Sequence, residues 1–284
     1  MCLMVDVGRF GIWSGKLREG GDEAVEAVDE LDRLGFGAVW FGMGSVPAAG
    51  ELLAASSRIA VATGILSIWQ YDAEMVAQQA AAVEDRHPGR LLLGLGVSHA
   101  PLAKNYQKPY SAMVAYLDAL DAASAPLPPE SRALAALGPK MLRLAAERTA
   151  GAHPYLVDAQ FVARARETLG KEALLAPEVK VVLNSDPAEA RRIARQTVDM
   201  YTRLPNYTDN WLRMGFEDRD FAGGGSDRLI DSVVIWGSDD TVRARLAEFH
   251  DAGADHVALQ VLDGSPDRHP REGWRRLADL LELR

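Results

Sequence analysis

Alternation constrains this chain most. Short β-rich runs recur between longer segments with helical spacing: Gly8–Trp13, Ala38–Gly42, Arg58–Leu66, Arg90–Val97, Ser131–Leu137, His153–Val157, Glu178–Asn184 and Asp255–Leu262. The run Ile59-Ala60-Val61-Ala62 is apolar at every position, as expected of a strand buried on both faces in a parallel sheet. Eight such strands are the number a (β/α)8 TIM barrel requires, and a doubly wound sheet can also absorb them. Local signals set the helices between them. Asp72, Asp186 and Ser238 are placed as N-caps, and Asp186-Pro187-Ala188-Glu189 combines a cap, a proline at the first helical position and an acid at the third. Val25, Val28 and Leu31 mark one face of a helix over 22–34, stopped by Gly35. The rhythm breaks over 205–236, where short helices are expected.

Composition narrows the function classes. A chain of 284 residues buries enough surface to need no disulfide or metal for its core. The single cysteine, Cys2, cannot form an intrachain disulfide, which fits a reducing compartment. No run approaches a membrane span and the first residues lack a signal-peptide pattern, so a cytoplasmic protein is expected, with residues 1–284 forming one domain. The net charge of −9 leaves no positive surplus for nucleic-acid phosphates. No dinucleotide fingerprint, Walker sequence, HExxH or Gly-x-Ser-x-Gly elbow occurs, and the six histidines show no metal-ligand spacing. The substrate is therefore expected to be a small molecule.

In a barrel, ligands collect at the C-terminal ends of the strands. The third strand ends Thr63-Gly64-Ile65-Leu66-Ser67-Ile68-Trp69, where a glycine lets backbone approach a flat ligand or simply completes a packed strand end. The fourth ends Gly94-Leu95-Gly96-Val97-Ser98-His99. Its glycines clear one face, and His99 has a proton affinity suited to transfer near neutrality, or to an ordinary loop hydrogen bond. Gly138-Pro139-Lys140-Met141 is a glycine turn into a helix, either an anion site or a plain helix entry. Trp13, Trp40 and Trp69 stand near three strand ends, where they wall a ring-binding pocket or fill core. His256, ahead of the last strand, is placed at the bottom or wall.

Four stretches carry a resemblance: Arg58–Ile65, Arg90–His99, Ala135–Met141 and Ala252–Val257. In order and spacing they resemble the luciferase-like superfamily, and more narrowly its actinobacterial, F420-dependent oxidoreductase group. Leu204-Pro205-Asn206-Tyr207 and Gly224–Leu229 are similar to a subfamily of that group. The resemblance implies a luciferase-like barrel with insertions near the strand ends, often a homodimer. It implies coenzyme F420, a 5-deazaflavin, with FMN as the alternative. Thr63, Gly64 and Ile65 would form a bulge backing the ring, with Gly64–Ile65 the expected cis peptide. Gly96, Val97 and Ser98 would border the ring, and Gly138, Pro139, Lys140 and Met141 would hold a phosphate. His99 would donate or orient a proton; Trp13, Trp40 and Trp69 would face substrate. Hydride transfer with an organic substrate is the implied reaction. The alternatives are an FMN-dependent monooxygenase and a non-catalytic partner subunit. One departure stands out. Sugar-phosphate dehydrogenase relatives carry an acid–histidine pair after the second strand, where this chain has Phe41-Gly42-Met43-Gly44-Ser45. That argues against sugar-phosphate oxidation and leaves Glu51 or Asp72 as substitute acids.

Overall fold

A computed structural model describes residues 4–99 and 106–283, so Cys2 lies outside the described residues. The strands are β1 (Phe10–Ser14), β2 (Ala38–Phe41), β3 (Ala60–Thr63), β4 (Leu66–Ser67), β5 (Leu91–Gly96), β6 (Arg132–Leu134), β7 (Gly151–Ala152), β8 (Leu174–Leu175), β9 (Glu178–Val182), β10 (Val234–Trp236) and β11 (Val257–Val261). The helices are α1 (Gly21–Arg33), α2 (Val46–Ala54), α3 (Ala73–Glu84), α4 (Pro109–Asp121), α5 (Pro139–Arg148), α6 (Ala159–Leu169), α7 (Pro187–Val198), α8 (Pro205–Arg213), α9 (Asp227–Val233), α10 (Asp239–Asp251) and α11 (Arg271–Leu280). Every pairing is parallel, in the order β10-β9-β11-β1-β2-β3-β5-β6-β7-β8, with β4 added to β5.

The sheet is curled but its ladder is open, which corrects the closed eight-stranded barrel. Ala176 and Pro177 are all that separate β8, at one end of the path, from β9, near the other. Pro177 has no N–H for a ladder, and Pro154 likewise interrupts the strand expected over 153–157. What remains there is one isolated bridge, Tyr155–Glu178, and single hydrogen bonds: Ala176 N donates to Ala152 O, Glu178 N to Pro154 O, Asp255 N to Leu175 O and Ala258 N to Pro177 O.

Period-two alternation divides the core. Val39, Phe41, Val61, Leu91, Leu93 and Leu259 pack under the helices. Ala38, Trp40, Ala60, Ala62, Leu92, Ala133 and Ala258 form a separate cluster on the concave face. Those alanines leave space there for one large ring, which Trp40 fills at zero exposure. The caps at Asp72, Asp186 and Ser238 form as expected, accepting from Met75 N, Glu189 N and Thr241 N. On α1 the buried stripe is Ala24, Ala27, Val28 and Leu31, while Val25 is 39% exposed. The apolar face is thus turned by one residue from the sequence reading. Asp32, near its end, accepts from Ser57 N and Ile59 N, tying α1 to the entry of β3.

Between α7 and β10 the chain adds α8, α9 and two 3-10 turns. Tyr207, Trp211, Leu229 and Ile230 of this insertion pack on Ala190, Ala194 and Val198 of α7 in a second apolar cluster. Among the described residues no helix is long and apolar enough to cross a membrane, and no group of three His, Cys, Asp or Glu side chains is placed to hold a metal ion.

Candidate active site

The strand ends of β3 and β5 interlock. Thr63 Oγ1 donates to Gly94 O at 2.8 Å, and Gly64 N donates to Phe41 O at 2.8 Å. The Gly64–Ile65 peptide is cis, after which the chain returns to pair Leu66 with Leu95 and Ser67 with Gly96. This bulge is possible because side chains are missing opposite it. A Cβ on Gly94 would fall 1.9 Å from Thr63 O, and one on Gly96 would fall 2.7 Å from Ile65 Cγ1. Trp13 Nε1 donates to Gly64 O at 3.1 Å, and Trp69 Nε1 to Val97 O at 2.5 Å.

Two clefts open at these strand ends and share the wall of Tyr155. The first, about 290 Å³, is bounded by Ile65, Gly96 and Ala135, by the turn at Gly138 and Met141, and by Asn206 and Tyr207 of the insertion. The second, about 540 Å³, is bounded by Trp13, Lys16, Tyr201, Gln260 and Arg268. Each is of the size that holds a small organic ligand.

The sequence-derived residues separate accordingly. Ile65, Gly96, Val97, Ser98, His99, Gly138 and Met141 line the first cleft, and Trp13 lines the second. Trp69 sits behind the rim, its ring 5.8 Å from that of Tyr106. Thr63 is fully buried and serves the bulge. Pro139 and Lys140 are exposed on the first turn of α5 and do not line the cleft. Trp40 does not reach a cleft either. It stacks on His153 at 4.0 Å and 8° and donates to His256 Nε2 at 3.0 Å, so it is core. His256 is buried, as its position ahead of the strand suggested. Glu51 is exposed on α2 and Asp72 caps α3, so neither substitutes as a site acid.

His99 is partly buried, its Nδ1 3.3 Å from Asn206 Nδ2, which also donates to Ser98 O at 3.1 Å. Burial lowers its proton affinity below the ordinary histidine value, favouring the neutral ring. Ser98 has φ +53°, an uncommon conformation for a residue with a side chain, and the Asn206 contact helps hold it.

Sequence reasoning missed the polar floor between the clefts. Glu178 and Lys180, two apart on β9, face the same side and pair at 2.9 Å with zero exposure. Lys180 Nζ lies 3.8 Å from the centroid of the Tyr155 ring. Tyr201 OH donates to Tyr155 OH at 3.2 Å, and Tyr155 OH donates to Gln260 Oε1 at 3.0 Å. Burial drives the Tyr155 hydroxyl well above its ordinary range, so it stays protonated. Leu156, next in the chain, has φ +55°, and its carbonyl accepts from Trp211 Nε1 at 3.1 Å. The one signal available was His153-Pro154-Tyr155, a proline breaking a weak strand pattern.

The glycines give a test. Gly96→Ala is expected to cost about 1–3 kcal/mol, because Ile65 must shift from the bulge. Gly138→Ala has nothing within 4 Å of the new Cβ and is expected to change stability by less than about 0.5 kcal/mol. Urea denaturation of both variants measures the difference.

The chain matches the luciferase-like monooxygenase family over residues 3–125 and 114–256, and it belongs to that family. Among functionally curated proteins none matches it in sequence. Solved structures share its fold at low identity. An F420-dependent secondary alcohol dehydrogenase in complex with an F420-acetone adduct superposes with a TM-score of 0.74 at 13% identity, covering 97% of this chain and 98% of the other. The coenzyme F420 dependent tetrahydromethanopterin reductase from Methanopyrus kandleri gives 0.69 at 15%, covering 96% and 97%. The oxygenating constituent of 3,6-diketocamphane monooxygenase from Pseudomonas putida, in complex with FMN, gives 0.67 at 13%, again covering 96% and 97%. The family match and the shared fold together define a luciferase-like scaffold.

Proposed function

We propose that this protein is an F420-dependent oxidoreductase of the actinobacterial type acting on a small organic substrate, with the cofactor in the first cleft and the substrate in the second. The observation that carries this reading is the first cleft itself. The Ile65 bulge and the bare backbone of Gly96 give a flat apolar wall, and His153 gives a buried polar atom beside it. The far side is the start of α5, where Gly138 provides no side-chain cap and the first N–H groups stay available to an anion. A flat, phosphorylated ring fits that set of groups. Among the described residues Arg213, rather than Lys140, is the cation lining this cleft, on the same helix as the acid Asp209 and four residues from it.

When bound, F420 supplies the hydride chemistry. The chain's residues would do the rest. Ile65, Gly96 and Val97 hold the ring plane, and Gly138 and Met141 seat the phosphate end. Trp13 and Tyr155 cover the boundary with the substrate cleft and keep water out. His99, neutral through burial, is the proton donor or orienter nearest the rim. The resemblance in the four sequence stretches supports F420 over FMN, and it supports a homodimer; the lone cysteine supports a cytoplasmic location.

Titration of the purified protein with F420 and, separately, with FMN, followed by fluorescence, tests the cofactor. F420 is expected to bind at micromolar concentration or tighter and FMN much more weakly. The reverse order would place the chain with the FMN monooxygenases. Binding of neither would leave the partner-subunit reading.

A further inference from the structure

His153 is 2% exposed and lines the first cleft. Its Nδ1–H is donated to Ala176 O at 2.6 Å, which fixes the tautomer and leaves Nε2 as a lone-pair acceptor. The ring cannot turn freely. Trp40 lies flat against it at 4.0 Å, Trp40 Nε1 is held by His256 Nε2, and His256 Nδ1 is held by Gly8 O at 2.8 Å. Two aromatic layers and three hydrogen bonds thus fix one imidazole in place. Yet Nε2 meets no protein donor among the described residues. It lies beside the bulge, where a Cβ on Gly64 would fall 3.5 Å from it. Buried acceptors are almost always hydrogen-bonded, so one held this firmly at a cleft wall points to a ligand. A proton does not fill the position, because burial takes the ring's pKa down to about 3.

We infer that His153 Nε2 is a ligand-binding atom, accepting a hydrogen bond from an N–H or O–H on the edge of the ring that occupies the first cleft. The inference rests on reading that cleft as a ring site. It also specifies the ring's chemistry: the edge facing β7 must carry a donor, and an imide N–H, present in both F420 and FMN, is of that class. A ring offering only carbonyl oxygens there would meet a lone pair.

The test is 15N NMR of histidine-labelled protein titrated with F420 and with FMN, alongside fluorescence binding to His153→Phe and His153→Gln. The His153 resonances are assigned by their absence from the His153→Gln spectrum. Whichever ring binds is expected to move the Nε2 resonance of His153 upfield. His153→Phe, which keeps the stack on Trp40 but has no acceptor, is expected to weaken that ring about tenfold, with His153→Gln recovering part of the loss. If a ring binds while Nε2 stays still and His153→Phe binds it normally, this inference falls and the proposed function stands. If neither ring binds, both fall. Should His153→Phe not fold, the titration of the unmodified protein decides.

Discussion

Lys180→Met is expected to cost about 3–5 kcal/mol of folding stability, the range for removing one partner of a buried ion pair. The reason is desolvation. Lys180 and Glu178 are both at zero exposure, and each is the other's counter-charge at 2.9 Å. Burial lowers Lys180 to about 8, the carboxylate beside it opposing the fall, and burial raises Glu178. Lys180 Nζ donates to Glu178 Oε1 across that contact. Without the ammonium, Glu178 must take up a proton or remain as an uncompensated buried anion. The methionine also leaves the face of the Tyr155 ring, where Lys180 Nζ now sits at 3.8 Å. The double variant Glu178→Gln/Lys180→Met removes both charges and is expected to cost less than the single change. A urea-denaturation cycle over the four proteins measures this. A cost below about 1 kcal/mol for Lys180→Met alone would show that water reaches the floor of the site.

The helices were legible because their signals are local. Asp72, Asp186 and Ser238 each sit three residues before the amide they cap. Ser45 carries the same signal ahead of α2, accepting from Ala48 N, although α2 is not among the helices expected from sequence. The walls of the first cleft were also legible, since Ile65, Gly96, Val97 and Gly138 lie in short contiguous stretches. The rest depends on register. Trp40 reads as a strand-end aromatic until Ala60, Ala62, Ala133 and Ala258 from three other strands leave the interior space it fills. The Glu178–Lys180 pair gives no sign in sequence of its burial, because two charges at period two also describe a solvated strand face. The open ladder follows from Pro154 and Pro177, residues whose effect on strand pairing appears only once their neighbours are placed.

The same interior that fixes His153 should make the fold sensitive to acid. His153 and His256 are both buried, and burial lowers them to about 3 and about 4 respectively. An unfolded chain protonates both near 6.5, whereas the folded chain stays neutral there until their lower values are reached. Their contribution to stability is therefore complete above about pH 6.5 and is lost as the pH falls toward their folded values. At about 1.4 kcal/mol per histidine per pH unit, the two together remove on the order of 5 kcal/mol between pH 6.5 and 4.5. That is a large share of the net stability of an ordinary domain, which is about 5–15 kcal/mol. Glu178, raised by burial, acts in the opposite sense in this window. Asp32, Asp121 and Asp231 are lowered against the burial that opposes them, by hydrogen bonds from Ser57, Arg132 and Arg191 respectively, and their losses fall below about pH 4. His256→Gln isolates the contribution of one histidine. Its amide can accept from Trp40 Nε1 and donate to Gly8 O, as the imidazole does, without titrating. Urea midpoints measured from pH 4.5 to 8 are expected to fall more steeply with acid in the unmodified protein than in His256→Gln. The difference in slope should be about 1.4 kcal/mol per pH unit. Parallel curves would mean that His256 reaches its proton without unfolding, and that the interior beneath Trp40 opens to solvent in the folded state.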